Sequence, residues 1–423
     1  MLVLVPASRR HRCSHFDSVL MNGFTEDLVT NYPPATRGKL VVWGLLGAFP
    51  FGGMTWQALH HVAGLRRLGF DVWYVEDSDR PVRDAETWAP IWDCVANVKF
   101  LARYMDKIGL GDRWVFRVPG DAEQCYGALD VTGLSRLYRE ADAVLNVCGA
   151  QEWLPKHEQI QCLVYLETDP VEKQVQVAEG DQQVISMLDK YDYLFTYGEN
   201  FGATDCKVPI VRYRWYPTRP PVCIDWWHTS NTQQENAPIS TVMVWGHGHK
   251  NVVWNGEIWR WSKNYEFRRF VTLPLRVSTP FEVAVWGMRE LDENLLRSHK
   301  WRIRSSSELN EPGTYRDYIR GSLAEFTACK EQVVKPRPGW FSDRSACYLA
   351  AGKPVVLQDT GFSNVLPTGE GLFSFATEDE AVSAIETITA DYEKHSKAAA
   401  EIANQYFAAE RVLGALLGTI GLM

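Results

Sequence analysis

At 423 residues the chain exceeds one ordinary hydrophobic core, so two or three domains are expected. Its 46% hydrophobic and 23% charged residues are those of a soluble globular protein, and a formal net charge of −8 gives no general pull toward a phosphate backbone. Nucleic acid would need a local basic groove, and no apolar run approaches the roughly 20 residues that cross a bilayer.

The nine cysteines are scattered, with no Cys-x-x-Cys and no zinc-finger spacing to a histidine pair. They read as reduced thiols packed as small apolar groups. The opening "MLVLV" is too short for a signal-peptide core and is followed by "RRHR", so the expected location is the cytoplasm. Seventeen tryptophans could stack on sugars or bases, but core packing accounts for most of them.

Residues 1–38 lack periodicity and read as an irregular N-terminal extension. The segment "KLVVWGLLGAF" predicts a short strand and a glycine-punctuated loop, "GAFPFGG". In the next segment Leu59, Val62, Ala63, Leu65 and Leu68 recur at helical spacing until Gly69 stops them. "DVWYVED" is the following strand, which completes a βαβ unit with parallel strands. Strand-like "ADAVLNVCGA", "QCLVYLETD" and "YDYLFTYG" then alternate with helical stretches, so 39–222 is expected as one doubly wound Rossmann-like α/β domain. The proline-rich and polar 223–238 reads as a linker. A second alternation predicts another α/β domain over 239–395, and 396–423 is a helical end able to pack back on the first domain. Two such sheets present their carboxyl edges to a shared cleft, which suits a two-substrate enzyme.

Several stretches at those edges carry candidate chemistry. Gly52 and Gly53 allow close backbone approach at a helix start, with Thr55 just inside it, although a tight strand-to-helix turn explains the glycines equally. Glu76 and Asp77 end the next strand where a ribose-binding acid of a nicotinamide enzyme would stand, but the dinucleotide fingerprint is missing. Asp77 and Asp79 form an Asp-x-Asp that reads as a solvated loop tip rather than a cation site, and no metal is expected. In "WGHGHK", Lys250 could lie over a diphosphate, and no partner motif supports His247 and His249 as metal ligands.

"YLETDP" places Glu167 and Asp169 on one face of a strand end. Asp169 is the candidate general base, with His60 or His61 as alternatives. In "GWFSDRSACYLAAGKPVV", Ser342 or Asp343 can cap a helix. Arg344 is poorly placed near the positive end of a helix dipole unless an anion binds there. The next strand ends in Asp359, Thr360 and Gly361, a second loop of donors and acids suited to a nucleotide sugar.

The pattern "KPRPGWFSDRSACYLAAGKPVVLQDTGFSNVLPTGEGLFSF" resembles the donor-binding half of GT-B-fold glycosyltransferases, through its Ala-x-Gly-x-Pro-Val-Val turn. "FGGMTWQALHHVAGLRRLGFDVWYVED" is similar to the first βαβ unit of that fold, and the whole looks closest to uncharacterised bacterial members carrying "GWFSDR". The resemblance implies transfer of a sugar from a nucleotide-diphosphate donor, the co-substrate, to an unidentified acceptor, with no cofactor and no obligatory metal. Arg344, Lys250 and the amides near Ser342 would stabilise the departing diphosphate. Trp340 would stack on or beneath the base, with Asp343, Asp359, Thr360 and Gly361 near the sugar, and Gly52, Gly53, Thr55 and His60 on the acceptor side. Many retaining members carry two glutamates seven residues apart, where this chain has Gly339 and Cys347. Stereochemistry therefore stays open, and a same-fold epimerase or a non-catalytic sugar or nucleotide binder are the competing readings.

Overall fold

The computed structural model describes Leu28 and residues 31–229, 236–246 and 250–423. Most of the expected N-terminal extension, with His247, Gly248 and His249, lies outside the described residues.

The first sheet has eight strands: β1 (Lys39–Trp43), β2 (Asp71–Glu76), β3 (Trp114–Arg117), β4 (Cys125–Gly127), β5 (Ala143–Val147), β6 (Leu163–Glu167), β7 (Tyr193–Thr196) and β8 (Trp215–Pro217). Their order across the sheet is β8-β7-β6-β5-β1-β2-β3-β4, parallel except for the β3–β4 pair. The second sheet has six, all parallel: β9 (Ile239–Val244), β10 (Phe281–Trp286), β11 (Arg302–Ser305), β12 (Ala324–Thr327), β13 (Val355–Gln358) and β14 (Leu372–Phe375), in the order β11-β10-β9-β12-β13-β14. Strands such as "LVVW" and "AVLNV" are buried along their whole length, as expected for parallel strands covered on both faces. The expected architecture of two doubly wound α/β sheets is therefore present, and each order reverses at a central strand, β1 in one and β9 in the other. Such reversals open a crevice at the carboxyl ends of the strands.

Helix α1 (Gly52–Arg67) lies between the two halves. The predicted apolar stripe is only part of what it buries, because Gln57, His60 and His61 are buried as well. One side of α1 meets α2 (Pro312–Arg320) of the second half. Gly52 makes this possible, since a Cβ there would lie 2.5 Å from the Leu309 carbonyl and 2.8 Å from Tyr315 Cβ. The other side meets α4 (Ala409–Thr419), where a Cβ on Gly64 would overlap Ala409 and Leu413. The C-terminal segment thus returns to the first half, tied by hydrogen bonds from Val222 N to Phe407 O (2.7 Å) and from Ala409 N to Val222 O (2.9 Å). The segment expected as a linker is not solvated at its start, for Cys223, Trp226 and Trp227 are buried against α1.

Candidate active site

A cavity of about 400 Å³ opens between the sheets, at the end of β9 on one side and the start of α1 on the other. Phe51, Gly52, Gly53, Gln57 and His60 line it from the first half. Val242 to Val244, Lys263, Lys330, Tyr315 and α3 (Asp343–Ala350), through Asp343, Arg344 and Cys347, line it from the second. No side chain caps the start of either α1 or α3, so two sets of helix-start amides face this region.

Three cations stand in the wall. Lys263 is 7% exposed, and among the described residues its ammonium has no hydrogen-bond or ion-pair partner. Burial and the neighbouring Arg344 pull its pKa down to about 7. Lys330 continues the chain from β12; its ammonium lies 3.1 Å from the Trp261 ring centroid and 3.2 Å from Asp169 Oδ1. Burial lowers its pKa despite that carboxylate. The sequence reading missed both lysines. Lys330 carries a usable signal, since "FTACK" runs off a strand end at the carboxyl edge, whereas Lys263 lies between a short hairpin and one helical turn and belongs to no motif.

Arg344 lines the cavity, but its expected anion is largely supplied from within. Nε donates to Glu325 Oε1 (2.5 Å), one terminal nitrogen to the Val242 carbonyl (2.6 Å) and the other to Thr327 Oγ1 (2.7 Å). The guanidinium is thereby fixed beneath the cavity, with two of its five N–H groups left. Ser342 occupies the N-cap position without a side-chain cap bond, against expectation. Asp343 bridges to Gln57 Nε2 at 3.4 Å. Burial and the nearby Asp169 raise its pKa to about 6. Lys250 is displaced from its expected place: it stands half-exposed outside the wall, 3.9 Å from Glu172.

The other donor-side expectations are corrected by hydrogen bonding. Trp340 is buried and donates from Nε1 to the Thr168 carbonyl (2.9 Å), so it joins the two halves instead of stacking on a base. Thr360 is fully buried and donates to the Trp340 carbonyl (2.6 Å). Asp359 pairs with Arg337 (2.8 Å) and accepts from Gly361 N and Ser363 Oγ. Gly361 has φ 91°, and a Cβ on it would lie 2.7 Å from Asn200 Nδ2. These three residues build the loop that docks on Asn200 and do not line the cavity. Cys347 does line it, as a thiol whose pKa burial raises well above its ordinary value.

On the first half, Gly52 and Gly53 line the cavity as expected, although the missing Cβ of Gly52 serves Tyr315. Thr55 is turned away, fully buried and bonded to the Phe51 carbonyl (3.1 Å). His60 lines the cavity but is no base: Nδ1 accepts from Cys223 N (3.1 Å), and Nε2 meets the Trp227 indole N–H (3.1 Å). Burial, then His61 and Arg67, hold its pKa well below the ordinary range. His61 donates from Nδ1 to Gln57 O (2.8 Å), and burial pulls its pKa to about 4. Glu167 is buried, accepting from Gln174 and Thr196, while Asp169 is partly exposed and pairs with Lys330, outside the residues that line the cavity. Burial opposes the charge of Asp169, but Lys330 and Lys250 together hold its pKa below the ordinary value.

A second cavity, of about 310 Å³, lies at the ends of β1, β2, β3 and β5 and shares Phe49 with the first. Glu76 is in its wall, but its carboxyl accepts from Gly47 N (2.6 Å), Ala48 N (2.7 Å) and Tyr74 Oη (2.7 Å), so it closes its own loop and leaves no place for a ribose. Asp77 is fully buried among Arg117, Lys156, His157 and Tyr138, and Asp79 also pairs with Arg117. That Asp-x-Asp is consumed by side-chain partners.

No family model matches the sequence, and neither does any curated protein. Among solved structures, the chain is similar to Anabaena HepE (Alr3699) in complex with UDP-glucose, with a TM-score of 0.54 and 13% identity over 91% of this chain and 100% of that one. It is also similar to an alpha-glucosyltransferase solved with UDP and a 13-mer DNA containing an HMU base, with a TM-score of 0.51 and 11% identity over 91% and 100%. The fold is therefore that of the GT-B glycosyltransferases. Among the described residues no helix is long and apolar enough to cross a membrane.

Proposed function

We propose that this chain is a glycosyltransferase that takes its sugar from a nucleoside-diphosphate donor bound in the larger cavity. One observation carries the reading: Lys263 is a buried cation with no hydrogen-bond or ion-pair partner among the described residues, set beside Arg344 and Lys330 in a cleft between two switch points. An unpaired buried ammonium is costly and calls for an anion. A diphosphate supplies one, and its charge grows as the glycosidic bond to the donor breaks. Lys263 and Lys330 would meet that charge directly, Arg344 from beneath, and the amides at the start of α3 along the helix axis. Side-chain cations in that role make a divalent metal unnecessary for turnover.

Asp343, at the start of α3, is the carboxyl placed to hold a sugar hydroxyl. Asp169, whose partner Lys330 lines the cavity, would serve as base to an acceptor hydroxyl once the diphosphate takes over Lys330. UDP-glucose in the HepE complex and UDP in the alpha-glucosyltransferase complex make UDP-sugars the first donors to try. The overall charge of −8 argues against DNA as acceptor here.

The test is a thermal-shift series with UDP-, GDP-, ADP- and dTDP-sugars, followed by detection of free nucleoside diphosphate. At least one donor should raise Tm and be turned over in the presence of EDTA. No stabilisation by any donor would overturn the reading, and stabilisation without diphosphate release in the presence of varied acceptors would leave a binding protein.

A further inference from the structure

The smaller cavity lies at the crevice where the order of the first sheet reverses, between the ends of β1 and β5. Its wall contains three arginines, Arg80, Arg83 and Arg117, and one acid, Glu76. The oxygens of Glu76 are already engaged by two backbone amides and Tyr74, and burial raises its pKa to about 7, so its charge is reduced and turned to its own loop.

Arg117 is only 2% exposed. It reaches Asp77 through Nε and Asp79 through Nη1 (2.8 Å), while its fully buried Nη2 has no hydrogen-bond partner among the described residues. Buried donors are nearly always paired, but this idle nitrogen lies behind the wall and is closed off from the cavity, so direct contact with a bound group falls to Arg83 and Arg80. Arg83 bonds only to the Trp88 carbonyl (3.2 Å) and lies over the Phe49 ring (5.8 Å), and among the described residues it has no carboxylate partner. Arg80 completes the group from the rim, where it pairs with Glu152. The remaining wall, with Phe49, Phe116 and Pro119, is apolar, and the volume suits a body about the size of one sugar ring.

We propose that this cavity is the acceptor pocket and that the acceptor carries an oxyanion, a phosphate or a carboxylate, held by Arg83 and Arg80 in front of Arg117. Guanidinium forks match such groups through paired N–H donors. The identification as an acceptor pocket rests on the donor reading of the larger cavity; the oxyanion site itself does not.

The experiment titrates the full chain, saturated with UDP, with inorganic phosphate and separately with acetate at constant ionic strength. UDP keeps the probes out of the larger cavity. At least one oxyanion should bind with a millimolar Kd, and the tighter one names the group. The double variant Arg80→Gln/Arg83→Gln, at two partly exposed positions, should weaken it about fivefold or more. Arg117→Lys disturbs the buried Asp77, so the double variant is the deciding one. Absence of binding by both probes, or equal binding by the double variant, would overturn the proposal. A parallel titration of Lys263→Met without UDP separates the two readings: if UDP fails to bind the wild type, the donor reading falls, while phosphate binding to this variant still reports on the arginines.

Discussion

Gly339 packs its α-carbon directly on Asn200: a Cβ would stand 2.5 Å from the Asn200 amide nitrogen, and the glycine holds φ at 88°. Asn200 N in turn donates to the Pro338 carbonyl (2.8 Å), and Gly339 N to the Thr360 carbonyl (2.7 Å). This place, where many retaining relatives carry a glutamate, is a backbone junction between the two halves, with no room for a side chain. Gly339→Ala should therefore destabilise the chain by about 2–4 kcal/mol, through a positive φ and an overlap with backbone. A thermal or denaturant melt within 0.5 kcal/mol of wild type, a threshold of about the size of a neutral surface change, would contradict this junction.

Lys263→Met should act oppositely on stability and binding. Removing a buried unpaired charge in favour of an apolar side chain of similar length raises the stability of the ligand-free protein by about 1–3 kcal/mol. The same change should weaken UDP binding roughly 30-fold or more, since a charge-assisted contact worth about 2–3 kcal/mol is lost. Melting curves with and without UDP read both effects.

The pH dependence of nucleotide binding follows from the same lysine. Its folded pKa, about 7, lies below the ordinary lysine value, so the empty protein gives up this proton as pH rises through 7. In stability terms the unfolded chain then binds more protons, and the penalty of the buried charge is relieved above pH 7. Binding a diphosphate favours the charged form, so UDP affinity should fall between pH 6.5 and 8.5, ordinary assay values on either side of the shifted pKa. Asp343, whose pKa is about 6, adds to the fall as it gains charge at the lower end. Calorimetry in buffers of different ionisation enthalpy should show proton uptake on binding, and Lys263→Met should remove most of it.

Trp340→Phe distinguishes a stacking platform from a joint. The indole N–H bonds to the Thr168 carbonyl across the two halves, and the ring is absent from the cavity wall. Stability should drop by about 1 kcal/mol for the lost bond, with UDP affinity changed less than about threefold. A tenfold loss of UDP affinity at unchanged stability would restore the stacking role.

Much of the architecture could be read from the chain because it is written locally. Fully apolar strand runs, a glycine loop and a helix stopped at Gly69 specify a parallel βαβ unit without knowledge of distant neighbours. The site was harder, since its chemistry depends on which partner each polar group finds. Arg344 raised the question of an anion, and the one the fold supplies is Glu325, nineteen residues away on β12. Trp340, Asp359 and Thr360 sit at the right edge and are turned into a docking loop, because Asn200 and Arg337 meet them there. Lys263 has the reverse history: no spacing or motif marks it, and only the fold leaves it buried without a partner among the described residues.

Phe49 forms part of both cavities. On the two-pocket proposal, a ring in both walls would link their occupancies to the extent that a ligand in one cavity shifts it. By reciprocity the affinity change is the same whichever ligand arrives first. A change in the size of residue 49 therefore alters the wall of both cavities at once, and its effect on one ligand should be read together with its effect on the other.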